Sequence, residues 1–327
     1  MRWRAASALM ATGVLALGAC GGGDDGDADP TSTTAPPGPQ VTVATLNVLH
    51  GLFCDYERTD WCNAPARLEI VFRLLEDAGC PDLVGLQEIG PRQEELVVQR
   101  LAELCDGEYT LSWGARPGPD RQMILTRLPI VEEGFLDLAN LPWEAPWVRV
   151  RAEGGTVDFL TAHFASSSNN PPCDATNCPP VCPPGIETNE CHALEVVDLF
   201  ASTDEPATLT IVSGDLNARP ASSTVGHLLD AGFVDAWLAA GNAECSTVGD
   251  AACTGASDEP DTPYIGMDTV AGLTYGSRID YVLARAGEAC AVSAESAGFA
   301  DAPLDDPVDG LYWPSDHKGV RAVITCG

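Results

Sequence analysis

The chain has 327 residues, 48 Asp and Glu against 17 Lys and Arg, and a formal net charge of −31 at pH 7. Only one lysine is present, Lys318, and there is no basic stripe, so long-range attraction to nucleic acid or to other polyanions is excluded as a driving force for binding. A local cation can still reverse the sign where chemistry happens.

Residues 1–19 are expected to be a signal peptide. Arg2 and Arg4 precede an apolar run from Ala5 to Leu17 that is too short for a permanent span. The run ends Leu17-Gly18-Ala19-Cys20, which resembles a bacterial lipobox. The resemblance implies cleavage before Cys20, lipidation of its thiol and anchoring of an exported chain to the cell envelope, on its periplasmic or extracellular face. Loss of residues 1–19 removes two arginines and leaves a net charge near −33. Residues 20–40 are then the lipidated cysteine and a tether; their small, acidic, Pro-rich composition cannot bury a core. Residues 41–327 read as one domain, with no internal repeat, no second linker and no later membrane span.

Residues 41–48 alternate and are rich in β-branched residues, which predicts a strand. Residues 65–77 place Leu68, Val71, Phe72 and Leu75 at helical spacing behind Pro65, and Gly79 stops them. A buried strand follows at 82–88 and an amphipathic helix at 92–104. From Arg121 to Phe164, four apolar runs with short breaks predict hairpin-connected strands. A Pro- and Cys-rich loop spans about 166–187. Then come a helix at 192–200, a strand at 208–217, a helix near 221–230 and strands at 278–284, 290–294 and 319–325. Strands alternating with helices at both ends and consecutive in the middle fit a layered α/β domain with mixed sheets.

Thirteen cysteines are present, and setting Cys20 aside leaves an even number. They fall in local sets: Cys54 and Cys62, Cys80 and Cys105, Cys173 to Cys191, Cys245 and Cys253, Cys290 and Cys326. Disulfides in an oxidising compartment are the simplest account. The rival is zinc between Cys173 and Cys191 with His192 adjacent, but the set lacks paired CxxC knuckles.

Polar residues recur at the ends of apolar strands: Asn47, Gln87-Glu88, His163, Asp215, Asn217, Asp280 and Asp316-His317. One such residue is a turn or a satisfied buried group; six strand ends of this kind are where a layered α/β protein assembles a site. The blocks TLN (45–47), LQE (86–88), TAHF (161–164), GDLNA (214–218), RIDY (278–281) and SDHKGV (315–320) resemble, in order, the endonuclease/exonuclease/phosphatase superfamily. That group includes deoxyribonucleases, abasic-site endonucleases, inositol-phosphate phosphatases and neutral sphingomyelinases. The resemblance covers about 41–325 and implies a four-layer α/β/β/α sandwich with two mixed central sheets.

It also implies divalent-metal-dependent hydrolysis of phosphoesters. A hard cation, Mg²⁺ first with Mn²⁺ or Ca²⁺ as alternatives, neutralises the phosphoryl and leaving oxygens. Glu88 is the first-choice ligand, with Asn47 and Asp316 near it directly or through water. Period two puts Asp215 and Asn217 on one strand face, where they align the attacking water. His317 is the catalytic imidazole, oriented and charged by Asp280. Either that pair takes the water's proton, the version favoured, or Asp215 does and His317 stabilises the phosphate. His163 binds the phosphate or protonates the leaving group. Arg278 touches a phosphate or pairs with the neighbouring acid, and Arg127 is structural. His50 borders the cleft or sits in a loop; His192 and His227 have no evident partner.

One departure stands out. The deoxyribonuclease branch pairs the histidine at the His163 position with a carboxylate on the middle strand, and that region reads as Arg121 and Gln122. The lipid anchor, the acidic field and this departure favour small phosphoesters or phospholipid head groups. An endonuclease acting on DNA or RNA is the alternative. A catalytically silent binding module would show a broken Glu88, Asp215 or His317, and none is broken.

Overall fold

The computed structural model describes residues 38–49, 63–116, 120–257, 266–287 and 290–327. The segment expected to be a signal peptide, Cys20, most of the expected tether, His50, Cys54 and Cys62 lie outside the described residues.

In chain order the first elements are β1 (Gln40–Asn47), α1 (Ala64–Asp77), β2 (Leu83–Ile89), α2 (Pro91–Arg100), β3 (Thr110–Trp113) and β4 (Arg121–Thr126). Next come β5 (Ile130–Asp137), β6 (Glu144–Ala152), β7 (Gly155–His163), α3 (Thr188–Ala201), β8 (Leu209–Asp215) and α4 (Ser223–Asp230). The chain closes with β9 (Val234–Asp235), α5 (Ala236–Ala239), β10 (Gly255–Ala256), β11 (Tyr275–Ser277), β12 (Asp280–Ala286), β13 (Val292–Phe299) and β14 (Gly319–Cys326). The Asn63 side chain caps α1 by accepting from Ala66 N, with proline in the first turn. The second helix stops at Arg100 rather than 104 because a tight turn with Cys105 and Asp106 at positive φ follows.

Two six-stranded sheets form, ordered β13-β14-β1-β2-β4-β3 and β5-β6-β7-β8-β12-β9. Each is mixed: β1 and β2 run parallel in the first, β7 and β8 in the second, and the other pairs run antiparallel. Val41, Val43, Leu83 and Ile124 of one sheet pack on Val157, Phe159, Ile211 and Val282 of the other. On the far face of the first sheet, Ala44 and Leu46 meet α1 through Leu68, Phe72 and Leu75. On the far face of the second, Leu160 and Val212 meet α3 and α4 through Val196, Val225 and Leu228. These contacts make the α/β/β/α sandwich. Among the described residues no helix is long and apolar enough to cross a membrane.

Alternation places the site. The inner face of β1 reads Val41, Val43, Thr45, Asn47, that of β7 Val157, Phe159, Thr161, His163, and that of β8 Leu209, Ile211, Ser213, Asp215. Each passes from apolar core, through a hydroxyl, to a functional group at its carboxyl end. The hydroxyl layer is joined across the sheets by Gln87, whose Nε2 donates to Thr45 Oγ1 at 3.0 Å and to Thr161 Oγ1 at 2.7 Å. A side chain at Gly85 would collide there with Thr161 and Ser213. Gly214 has φ +126° and lies against the Ala162 carbonyl, so only glycine suits the position before Asp215.

Candidate active site

The strand ends converge as the sequence implies. Asn47 Nδ2 donates to Glu88 Oε1 at 2.8 Å and to Asp215 Oδ2 at 3.2 Å. Its own oxygen accepts from Leu49 N at 3.0 Å. Asn47 is thus built here to orient two carboxylates, with its oxygen turned to the backbone.

Glu88 sits where the β2–β4 register shifts, between Leu86 and Ile89, and has φ +60°. Strict alternation would put it on the helix-facing side with Leu86. The bulge and the left-handed backbone turn it inward instead, a common use of bulges beside active sites. Its Oε1 comes to 3.7 Å from His163 Nε2.

His163 Nδ1 lies 3.4 Å from Asp120 Oδ2, and Gln122 Nε2 donates to the other Asp120 oxygen at 3.2 Å. This corrects the sequence reading. The histidine does have a carboxylate partner, immediately before the middle strand and ahead of the Arg121 and Gln122 read from the sequence. Arg121 points elsewhere, to Glu94 at 2.7 Å and over the Trp113 ring. Trp143 was also missed: its ring stacks on the His163 imidazole, 5.4 Å between centroids and 12° apart, and its Nε1 donates to the His163 carbonyl.

Asp280 opens β12, opposite Asp215 in the ladder, and is fully buried. His317 Nδ1 meets both its oxygens, at 3.2 and 3.0 Å. That leaves Nε2 facing Asp215 Oδ2 at 3.8 Å. Asp316 is half-buried beside His317, and its carboxyl feels the Glu88 charge.

Asn217 departs from its expected place. The strand ends at Asp215, and Asn217 has φ +47° beyond it. Its amide N–H donates to Asp215 Oδ1 at 2.8 Å and its Nδ2 to Phe164 O at 3.0 Å. It therefore fixes Asp215 from a turn; it does not project beside it from one strand face.

His192, His227, Arg278 and Arg127 have structural partners. His192 Nε2 donates to Ala139 O at 2.7 Å and its Nδ1 accepts from Ala165 N, with burial pulling the imidazole down to about 4. His227 pairs with Glu190 at 2.8 Å. Arg278 is buried against Asp235 and Glu244 and stacks on Tyr281, so it touches neither a substrate cleft nor Asp280. Arg127 ties Glu108 to the Cys80 carbonyl. Disulfides join Cys80–Cys105, Cys173–Cys178, Cys182–Cys191, Cys245–Cys253 and Cys290–Cys326. The 173–191 sulfurs are thus bonded to one another, which removes the thiolates that zinc would need.

Electrostatics follow from the crowding of acids. Burial opposes charge on His163, but the carboxylates of Asp120, Glu88 and Asp215 overcome it and lift the imidazole to about 10. Burial likewise opposes charge on His317, and Asp280, Asp215 and Asp316 push it well above its ordinary value. Burial raises Asp215 to about 6 against the pull of His317, and raises Asp316 as well. Five carboxylates, Glu88, Asp120, Asp215, Asp280 and Asp316, thus surround two imidazoles. Such an excess of hard oxygen donors suits a divalent cation with oxygen ligands. Two groupings offer them: Glu88 with Asp316, and Asp215, Asp280 and His317, whose ligand atoms lie within 4.8 Å of one another.

The model of the Endonuclease/Exonuclease/phosphatase family matches residues 44–317. Among solved structures, TDP2 of D. rerio complexed with single-strand DNA product superposes with a TM-score of 0.61 at 18% identity, over 87% of this chain and 98% of that one. The endonuclease/exonuclease/phosphatase from Bacteroides vulgatus gives 0.57 at 17% identity, over 88% and 99%. The family protein from Bacteroides thetaiotaomicron gives 0.59 at 15% identity, over 88% and 97%. No curated protein matches the sequence.

Proposed function

The chain belongs to the endonuclease/exonuclease/phosphatase family, and from that premise we propose that it hydrolyses phosphoester bonds with a divalent cation, Mg²⁺ first. Members of this family are hydrolases acting on phosphoesters. The observation that carries the proposal is the convergence of Asn47, Glu88, His163, Asp215, Asp280 and His317 on one pocket. Glu88 and Asp316 would hold the cation, with Asn47 orienting Glu88 through its amide. When bound, the cation would neutralise the phosphoryl oxygens, stabilise the leaving oxygen and relieve the carboxylate excess that keeps His317 charged.

The chain's own groups do the rest. Asp280 fixes the His317 tautomer with the proton on Nδ1 and leaves Nε2 to take a proton from water beside Asp215. Asn47 and Asn217 hold the Asp215 oxygens so that this carboxylate aligns the water. His163, charged by Asp120 and shielded on one face by Trp143, binds the phosphate and supplies a proton to the leaving oxygen.

For the substrate we favour small phosphoesters or phospholipid head groups, because the field of a −31 chain repels polyanions. A nuclease reading gains from two observations: the His163–Asp120 pair, and the likeness to a TDP2 whose structure holds a single-strand DNA product. Parallel assays on bis-p-nitrophenyl phosphate, sphingomyelin, inositol phosphates and plasmid DNA, each with Mg²⁺, separate them. The favoured reading expects turnover of the small esters or head groups and negligible nicking at moderate salt; efficient nicking with inert small esters would replace it by the nuclease.

Export and lipid anchoring at Cys20 belong to the same proposal, supported by the lipobox-like Leu17–Cys20 and by the paired cysteines. Cys20→Ser is expected to move the chain from the membrane fraction to the soluble exported fraction. An unchanged membrane fraction would remove the anchor.

A further inference from the structure

Asp280 and His317 act as a pair but belong to different sheets. Asp280 opens β12 of the second sheet, whereas His317 sits two residues before β14 of the first. Their strands are not hydrogen-bonded to each other. Packing between the sheets, with Val282 and Ala284 in one core with Val320 and Ala322, brings the strands together, and a hydrogen-bonded link can set the 3.0 Å approach between the two side chains.

That role falls to a short segment from a distant part of the chain, Thr254 to Ala256. Thr254 Oγ1 accepts from two consecutive amides, Ile279 N at 3.0 Å and Asp280 N at 3.1 Å. Thr254 N donates to Ser277 O at 2.8 Å, and Thr254 O accepts from Lys318 N at 2.8 Å. Gly255 forms a bridge with His317, and Ala256 N donates to Asp316 O at 3.1 Å. The segment is wedged between the backbone just before Asp280 and the backbone around His317, and Thr254 bonds to both sides. It is also buried, so water cannot substitute for its hydroxyl. The Cys245–Cys253 disulfide ends immediately before it and closes the loop from which it is presented. No other side-chain oxygen meets the Ile279 and Asp280 amides among the described residues.

We propose that Thr254 is a positioning residue for the reaction: its hydroxyl sets Asp280 against His317, so that the imidazole presents Nε2 beside Asp215. It touches neither substrate nor cation. The inference rests on the phosphoesterase reading above and adds a residue that carries no part of the six motifs.

The test uses the full chain with Mg²⁺ and bis-p-nitrophenyl phosphate, comparing wild type, Thr254→Ser, Thr254→Val, Asp280→Asn, the Thr254→Val/Asp280→Asn double variant and His317→Ala. Thr254→Val keeps shape and removes the acceptor, and is expected to lower kcat about 10- to 100-fold with KM within about threefold, as for loss of an orienting partner. Thr254→Ser restores the acceptor and is expected to return kcat to within about threefold of wild type. Because Thr254 acts through Asp280, adding Thr254→Val to Asp280→Asn should cost far less than it does alone. Should Thr254→Val not fold, Thr254→Cys, with a weak acceptor of similar size, serves instead and should give an intermediate kcat. Wild-type kcat in the Val or Cys variant while His317→Ala is inert overturns the inference and leaves the enzyme reading intact. So does a full additional loss in the double variant. Wild-type rates in His317→Ala remove His317 from the reaction and this inference with it, whereas no turnover by the wild type with Mg²⁺, Mn²⁺ or Ca²⁺ overturns the underlying reading itself.

Discussion

His317→Ala is expected to lower kcat on bis-p-nitrophenyl phosphate by about 10³-fold, in the upper part of the range for losing a positioned proton acceptor, while KM changes little. The reasoning starts from the imidazole's two nitrogens. Nδ1 is committed to both Asp280 oxygens, and Nε2 looks towards Asp215. Alanine removes the ring that, among the described residues, couples these two carboxylates. Asp280→Asn is the milder companion: it preserves shape and one acceptor but no longer charges the imidazole, and a loss of about 10- to 100-fold is expected from second-partner changes of this kind. The order of the variants reports which group takes the proton. If Asp215 is the acceptor, Asp215→Asn is the more damaging change and His317→Ala retains substantial turnover. Unfolding by urea for each variant separates a catalytic loss from a folding one, since His317 is also the counter-charge for a fully buried aspartate.

Glu88→Gln should have the second large effect, and its signature is in the cation dependence. The substitution keeps size and an oxygen able to accept from Asn47 but removes the charge on which a hard cation depends. The Mg²⁺ concentration for half-maximal activity is expected to rise by about 100-fold, a loss on the scale seen when the surroundings of a metal site are altered. Calorimetric titration of Mg²⁺ into the protein without substrate should show the same weakening. An unchanged Mg²⁺ dependence would move the cation to Asp215, Asp280 and His317, the other grouping able to hold it.

The sequence made the fold and most of the pocket legible for one physical reason. Strands covered on both faces alternate strictly, so a polar residue at the end of an apolar run stands out, and β1, β7 and β8 each end on one. What escaped depends on partners that alternation does not name. Asp120 precedes β4 and follows the run Pro117-Gly118-Pro119, so it reads as loop. Yet Asp120, Gln122 and Ile124 share a period of two, and extending the strand face backwards by one step would have found it. The inward turn of Glu88 comes from a bulge set by the register against β4. Asn217 follows Asp215 by two residues but lies past the strand end, where the backbone takes a positive φ. The partner of His192 is the carbonyl of Ala139, 53 residues away and reachable only once the second sheet has formed. Thr254 belongs to no motif, and only the convergence of two sheets on its hydroxyl reveals it.

The central claim is that these residues form one pocket whose acids hold a cation against a phosphate. The most direct measurement is hydrolysis of bis-p-nitrophenyl phosphate by the full chain before EDTA, after EDTA and after Mg²⁺ is restored. The account predicts turnover that is abolished by the chelator and regained with Mg²⁺. Turnover indifferent to EDTA, or none with Mg²⁺, Mn²⁺ or Ca²⁺, would contradict it.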